Sequence, residues 1–183
     1  MVDIQGLRVM MRKLIVLFMG FFLIASLYGQ EINSEKSIVR FSIKNMGLNT
    51  VKGSLKNMTG TANFNASQPE ESVFDVCMST STIDTGNKKR DEHLKNADFF
   101  NVFKFPDICF TSTEVKKAET GFIAIGDLTM CGVTKSVEIP FRMSKNTLVG
   151  DLSLKRFDFG LGQSTGSFFA GNEVNVSIVC SFE

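Results

Sequence analysis

Tryptophan is absent from the 183 residues, tyrosine and histidine occur once each (Tyr28 and His93), and proline occurs three times. A single histidine makes a zinc centre hard to assemble, because such a site needs three or four His, Cys or carboxylate ligands. His93 has only Asp91 and Glu92 as charged neighbours of that kind, so no metal site is expected. No Cys-x-x-Cys is present, which removes a thioredoxin-type redox centre. Nor is there a long Lys/Arg run: 20 basic and 19 acidic residues give a formal charge of +1, with no electrostatic footprint for nucleic acid. Ordinary glycine and proline content excludes collagen-like and low-complexity classes, and 43% hydrophobic against 21% charged residues excludes a disordered tail.

Much of the apolar excess sits at one end. Met11-Arg12-Lys13 is followed from Leu14 to Leu27 by an apolar run broken only by Gly20 and Ser26, then by small and polar residues around Gly29. A bilayer-crossing helix needs about 20 apolar residues, so the shorter run reads as a secretory signal peptide over 1–29, with Met10 or Met11 an alternative start. No cysteine lies beside the expected cut, which argues against a lipid-anchored precursor. Residues 30–183 then carry 17 basic and 18 acidic residues and neither Tyr nor Trp. Their aromatic surface is all phenylalanine, suited to dry interiors. This is one domain, expected to be exported, with no stable membrane span after cleavage.

Period-two alternation recurs along that domain and predicts about eight strands. Val39, Phe41 and Ile43 alternate with polar partners, as do Ala62 and Phe64, Phe74 with Val76 and Met78, and Ile108 with Phe110. The pattern continues through 122–130, Val137 to Met143, Leu152 with Leu154, and Val174 to Ile178. Turn residues separate these runs, among them Gly47, Gly60, Pro69, Gly86, Gly121, Gly132, Lys145-Asn146 and the stretch from Gly160 to Gly171. Only 87–101, rich in charge, lacks alternation and reads as a short helix in a long connection. Eight such strands form a sandwich or an antiparallel barrel, and a barrel of this size holds packed side chains or one small ligand. Small residues of inward parity (Ala62, Ala124, Gly126) could leave a gap.

The side chains that could do chemistry are few. No Ser-His-Asp set is favoured over another, so no catalytic residue is assigned. Arg156 and Asp158 share inward parity with Leu152 and Leu154, where an unpaired charge is costly. They pair with each other or with Asp98, a bulge turns them outward, or Arg156 holds an anionic ligand head. Four cysteines in an exported domain allow three complete pairings. Cys77 and Cys109 fall on the outward parity of consecutive strands and make the preferred disulfide candidate, against free or otherwise paired thiols; Cys180 has inward parity.

The segments Arg90-Asp91-Glu92-His93-Leu94, Asp98-Phe99-Phe100, Phe105-Pro106-Asp107-Ile108, Gly126-Asp127-Leu128-Thr129, Gly132-Val133-Thr134-Lys135 and Arg156-Phe157-Asp158-Phe159-Gly160 resemble, in order and spacing, the YceI-like family of exported proteins. The resemblance covers 32–183. It implies an eight-stranded, lipocalin-like antiparallel β-barrel, usually periplasmic, that holds a polyisoprenoid chain or quinone-like lipid. On that implication the ligand lining comprises Phe41, Ile43, Phe64, Phe74, Val76, Met78, Phe110, Phe122, Ala124, Leu128, Phe141, Leu154, Arg156, Val176 and Ile178. No cofactor other than such a lipid is expected. The four cysteines, and Ile123 and Ile125 on the outer face, depart from the family pattern. Three functions follow: a lipid carrier or sequestering protein; a barrel enzyme acting on a bound lipid through His93, Asp91 or Arg156; and an envelope interaction protein or homodimer using an apolar patch at Ile123 and Ile125.

Overall fold

The computed structural model describes residues 30–45, 49–165 and 170–183, so the expected signal peptide over 1–29 and the expected turn at Gly47 lie outside it. Among the described residues ten strands form one sheet: β1 (Gln30–Glu31), β2 (Ile38–Asn45), β3 (Asn49–Leu55), β4 (Met58–Asn63), β5 (Val73–Ser79), β6 (Asp107–Lys117), β7 (Phe122–Met130), β8 (Val133–Ser144), β9 (Thr147–Lys155) and β10 (Glu173–Ser181). Every pairing is antiparallel, in the order β1-β4-β5-β6-β7-β8-β9-β10-β2-β3.

The all-β barrel reading holds, with ten strands rather than about eight, and the register explains the difference. β3 is antiparallel to β2 and β4 is antiparallel to β5, so both run the same way around the curl. Only Lys56 and Asn57 separate them, and Asn57 has a positive φ of 58°. They are two halves of one kinked stave, the first paired to β2 and the second to β5. Because two residues span only a few ångströms, this stave brings opposite edges of the sheet together. Further links close the seam: Ser54 N–H donates to Asp84 O at 2.8 Å and Asp84 N–H to Ser54 O at 3.0 Å. At the other end β1 joins β4 to the chain's last residues, where Ile32 bridges Phe182.

β3 escaped the alternation pattern because Gly53 interrupts it. Phe41, directly opposite on β2, occupies that place: a Cβ on Gly53 would stand 2.4 Å from Phe41 Cζ. Gly60 likewise does not separate strands but lies inside β4. The two tightest hairpins match the sequence: Cys131-Gly132, both at positive φ, joins β7 to β8, and Lys145-Asn146 joins β8 to β9.

Connections at the two ends differ in size. One end carries the short β6–β7 and β8–β9 turns and both described chain ends. The other carries the long connections 80–106 and 156–172, the first containing helix α1 (Lys88–Lys95). The Asn87 side chain caps α1 by accepting from Arg90 N–H.

Cys77 and Cys109 are register partners on β5 and β6 and form a disulfide. It closes a span of 32 residues, and the chain-entropy model puts such a closure at about 3–4 kcal/mol. A Cys77→Ser/Cys109→Ser protein is expected to lose about that much stability, measured by denaturant unfolding beside the wild type, with a steeper slope because the uncrosslinked denatured chain exposes more surface. Cys131 and Cys180 are free. Burial pushes both thiols up to about 11, against a smaller opposing hydrogen bond from Ser37 at Cys180.

Candidate functional site

The interior divides into a filled half and a hollow half. At the end with short turns, four rings pack on one another. Phe64 meets Phe122 and Phe141 edge-on with centroids 4.8 and 5.2 Å apart, Phe74 meets Phe141 at 5.6 Å, and Phe122 stacks on Phe141 at 5.5 Å. Towards the end with long connections lies a cavity of about 370 Å³, within the usual size range of ligand sites.

Ten of the predicted lining residues face this cavity: Phe41, Ile43, Val76, Met78, Phe110, Leu128, Leu154, Arg156, Val176 and Ile178. Phe64, Phe74, Phe122 and Phe141 do not reach it, because their rings fill the opposite half. Ala124 is buried away from it, with Val115 and Ile139 as its register partners. Parity assigned all five to the inner face correctly but said nothing of height along the barrel. Gly126 opens no gap either: β6 bulges between Ser112 and Glu114, and a Cβ on Gly126 would stand 2.3 Å from Thr111 O and 2.7 Å from Ser112 Cα.

Sequence reasoning missed the wall supplied by the connection 80–106. Ile83, Leu94, Phe99 and Phe100 line the cavity, and Thr85, Arg90 and His93 join Asn45 in giving it a polar margin. The signal was present, since Arg90, His93, Leu94, Phe99 and Phe100 stand in the segments that carry the family resemblance. His93 is exposed and also lines the cavity, so the cavity reaches the surface beside α1. Its ring is edge-on to Phe99, with centroids 5.1 Å apart. Thr85 ties the margin together: its N–H and Oγ1–H donate to Asp91 Oδ1, while Arg90 Nε–H donates to Thr85 Oγ1 at 2.7 Å and Nη2–H to Thr85 O at 2.9 Å. Asp91 is thereby occupied in fixing the loop to the helix.

Arg156 is 3% exposed, and its guanidinium is committed to the β9–β10 connection. Nε–H donates to Gly171 O at 2.8 Å, Nη1 to Leu161 O and Gly162 O at 2.8 and 2.7 Å, and Nη2 to Ala170 O at 2.7 Å. The group also lies over the Phe157 ring, 4.1 Å from its centroid. Burial lowers its pKa from the ordinary value, while the carbonyl oxygens compensate a charge taken out of water. The sequence expectation carried the strand through Asp158. The strand instead ends at Lys155, and a 3₁₀ turn, Arg156–Phe159, leaves Asp158 exposed. Asp98 is exposed as well.

The expectation that no serine stands in a Gly-x-Ser-x-Gly elbow needs a correction. Gly162-Gln163-Ser164-Thr165-Gly166 has the Gly-x-Ser-x-Gly spacing of a nucleophile elbow, which requires a sharp strand-to-helix turn. Gln163–Thr165 is a 3₁₀ turn inside a connection, and Ser164 is exposed. The spacing occurs here without its working context.

Ile123 and Ile125 are half-buried on the outer face. Lys116 and Glu114 stand opposite them on β6, Pro140 and Glu138 on β8, and Lys116 pairs with Glu114 at 3.8 Å. The two isoleucines thus sit within a charged surround. No helix among the described residues is long and apolar enough to cross a membrane.

The model of the YceI-like domain matches residues 30–182. A UPF0312 protein of Yersinia enterocolitica is 35% identical over 121 residues, covering 66% of this chain and 63% of that protein. A UPF0312 protein of Photorhabdus laumondii is 36% identical over 114 residues, covering 62% and 59%. The match therefore spans less than two thirds of these relatives' length. Among solved structures, BcnA of Burkholderia cenocepacia superposes with a TM-score of 0.75 at 20% identity, over 82% of this chain and 98% of that one. A Campylobacter jejuni YCEI protein gives 0.66 at 27% identity, over 77% and 90%. A polyisoprenoid binding domain from Saccharophagus degradans gives 0.64 at 15%, over 85% and 98%, a likeness of fold.

Proposed function

The chain belongs to the YceI-like domain family, and from that premise we propose that it binds a polyisoprenoid or quinone-like lipid in the cavity beneath α1 and acts as its carrier or sequestering protein. The observation that carries the reading is the wall itself. Phe, Met, Leu, Ile and Val side chains make most of the wall around about 370 Å³ of space, and apart from the backbone-bonded Arg156 its polar side chains are Asn45, Thr85, Arg90 and His93. Burial of hydrocarbon there contributes about 25 cal/mol per Å² of apolar area. Met58, Met78 and Met130 on the wall adapt to a flexible tail. The name of the Saccharophagus neighbour, a polyisoprenoid binding domain, agrees with this choice of ligand.

The family and the fold point to binding rather than catalysis, and burial needs no covalent step. The leader-like segment 1–29 supports export, with residues from 30 onward as the working form. In this reading the polar end of the ligand lies near Asn45, Thr85 and Arg90, a placement supported by the polar margin there and by the engagement of the Arg156 guanidinium with backbone carbonyls. Native mass spectrometry of protein purified from the producing cell, followed by organic extraction, is expected to release one isoprenoid or quinone-like molecule per chain. Protein that arrives empty and takes up no added isoprenoid overturns the proposal.

A further inference from the structure

Phe103 is 99% exposed in the connection that follows α1, whereas most other phenylalanines of the described chain are buried or half-buried. Its position is set by the backbone. Phe100 N–H donates to Leu94 O and Val102 N–H to Lys95 O, which folds the segment back on the last turn of α1. Asn101, at a φ of +46°, turns the chain outward, and Lys104 N–H and Phe105 N–H both donate to Asn101 O. Phe103 is thus held on a tight loop beside the end of the barrel where the cavity reaches the surface. Exposing a whole phenyl ring to water is unfavourable, and nothing in the fold uses this one.

The charge around it has one prevailing sign. Residues 88–104 carry five basic and three acidic side chains. Two of the acids are engaged, Asp91 by Thr85 and Glu92 by Lys95 at 3.2 Å. Lys88, Lys89 and Lys104 are exposed and form no ion pair among the described residues. Lys104 is the chain neighbour of Phe103, and Lys88 and Lys89 open α1, whose eight residues span about 12 Å, so the three lysines are spread along the same α1-side connection as the exposed ring.

We propose that this face docks on an anionic bilayer surface, with Phe103 inserted at the headgroup boundary and Lys88, Lys89 and Lys104 against the headgroup charge. The inference rests on the lipid-binding reading for its purpose, since it places the cavity opening against the phase where such a ligand dissolves. Its evidence, an exposed ring within a basic surround, is separate.

The test is flotation of the processed protein with vesicles of phosphatidylcholine, alone or mixed with phosphatidylglycerol. Wild-type protein is expected to float with the mixed vesicles, and to be released by raised salt. Phe103→Asp is expected to bind them about tenfold more weakly, and Lys104→Glu also more weakly. Both variants should take up isoprenoid from detergent micelles as wild type does. Wild-type protein that stays off the mixed vesicles, binds neutral vesicles equally, or floats undiminished as Phe103→Asp overturns the docking face. Protein that floats as expected yet takes up no isoprenoid from detergent overturns the cavity reading and leaves the docking face standing.

Discussion

Val176→Trp is expected to reduce affinity for a bound isoprenoid about a hundredfold while leaving the protein folded. Val176 lines the cavity at half-burial, between Phe41 on β2 and Leu152 on β9. An indole there grows into empty space rather than into packed atoms, so the overpacking penalty of a filled core is avoided. The space it takes is lost to the ligand. Excluding about four methylene-sized groups, at about 0.8 kcal/mol each, costs about 3 kcal/mol, close to two orders of magnitude in Kd. Titration with a fluorescent isoprenoid, beside a thermal melt, reads the two quantities separately. Undiminished affinity in a folded variant would place the ligand elsewhere.

Phe141→Ala is expected to act on the other half of the interior, lowering stability by about 3–5 kcal/mol. The ring touches Phe64, Phe74 and Phe122 at once, and no neighbour can collapse into its place without breaking another pair. Denaturant unfolding followed by far-ultraviolet circular dichroism gives the loss directly. A loss below about 1 kcal/mol would mean that this end is loosely packed, contrary to the four-ring cluster.

Together the variants separate two roles that sequence parity alone assigns alike. Alternation marks Phe141 and Val176 as inward without distinguishing them, because a period of two fixes the face of a residue and not its height. Height follows from register, which pairs Phe141 with Phe122 at the short-turn end and Val176 with Phe41 higher up. Register in turn depends on the bulge at Ser112 and the kink at Lys56-Asn57, neither of which leaves a periodic trace. The outward parity of Cys77 and Cys109 was more informative: neighbouring strands with outward cysteines needed only the correct alignment, and β5 and β6 have it.

Arg156 shows the opposite case. Counting by twos sent its charge into the barrel, and the side chain is indeed buried. Its partners, however, are carbonyl groups of a connection whose path no pattern of side chains predicts. The α1-side wall was hidden for a related reason. Ile83, Leu94, Phe99 and Phe100 belong to loops and a helix, so strand periodicity could not enrol them, although the motifs that carried the family resemblance included three of the four.

The pairing of β2 with β10 also governs when the protein can fold. Strand 38–45 takes its partner from 173–181, and the Ser37 hydroxyl bonds with Ser181 across a separation of 144 residues. At roughly 5–20 residues per second, β2 leaves the ribosome on the order of ten seconds before β10 exists. Throughout that interval β2 and β3 can form a hairpin but cannot join a closed sheet, and such long-range topologies are slow to assemble in any case. A nascent chain with this wiring can pair β4 to β9 in order but cannot join them to β2 until its last strand is made.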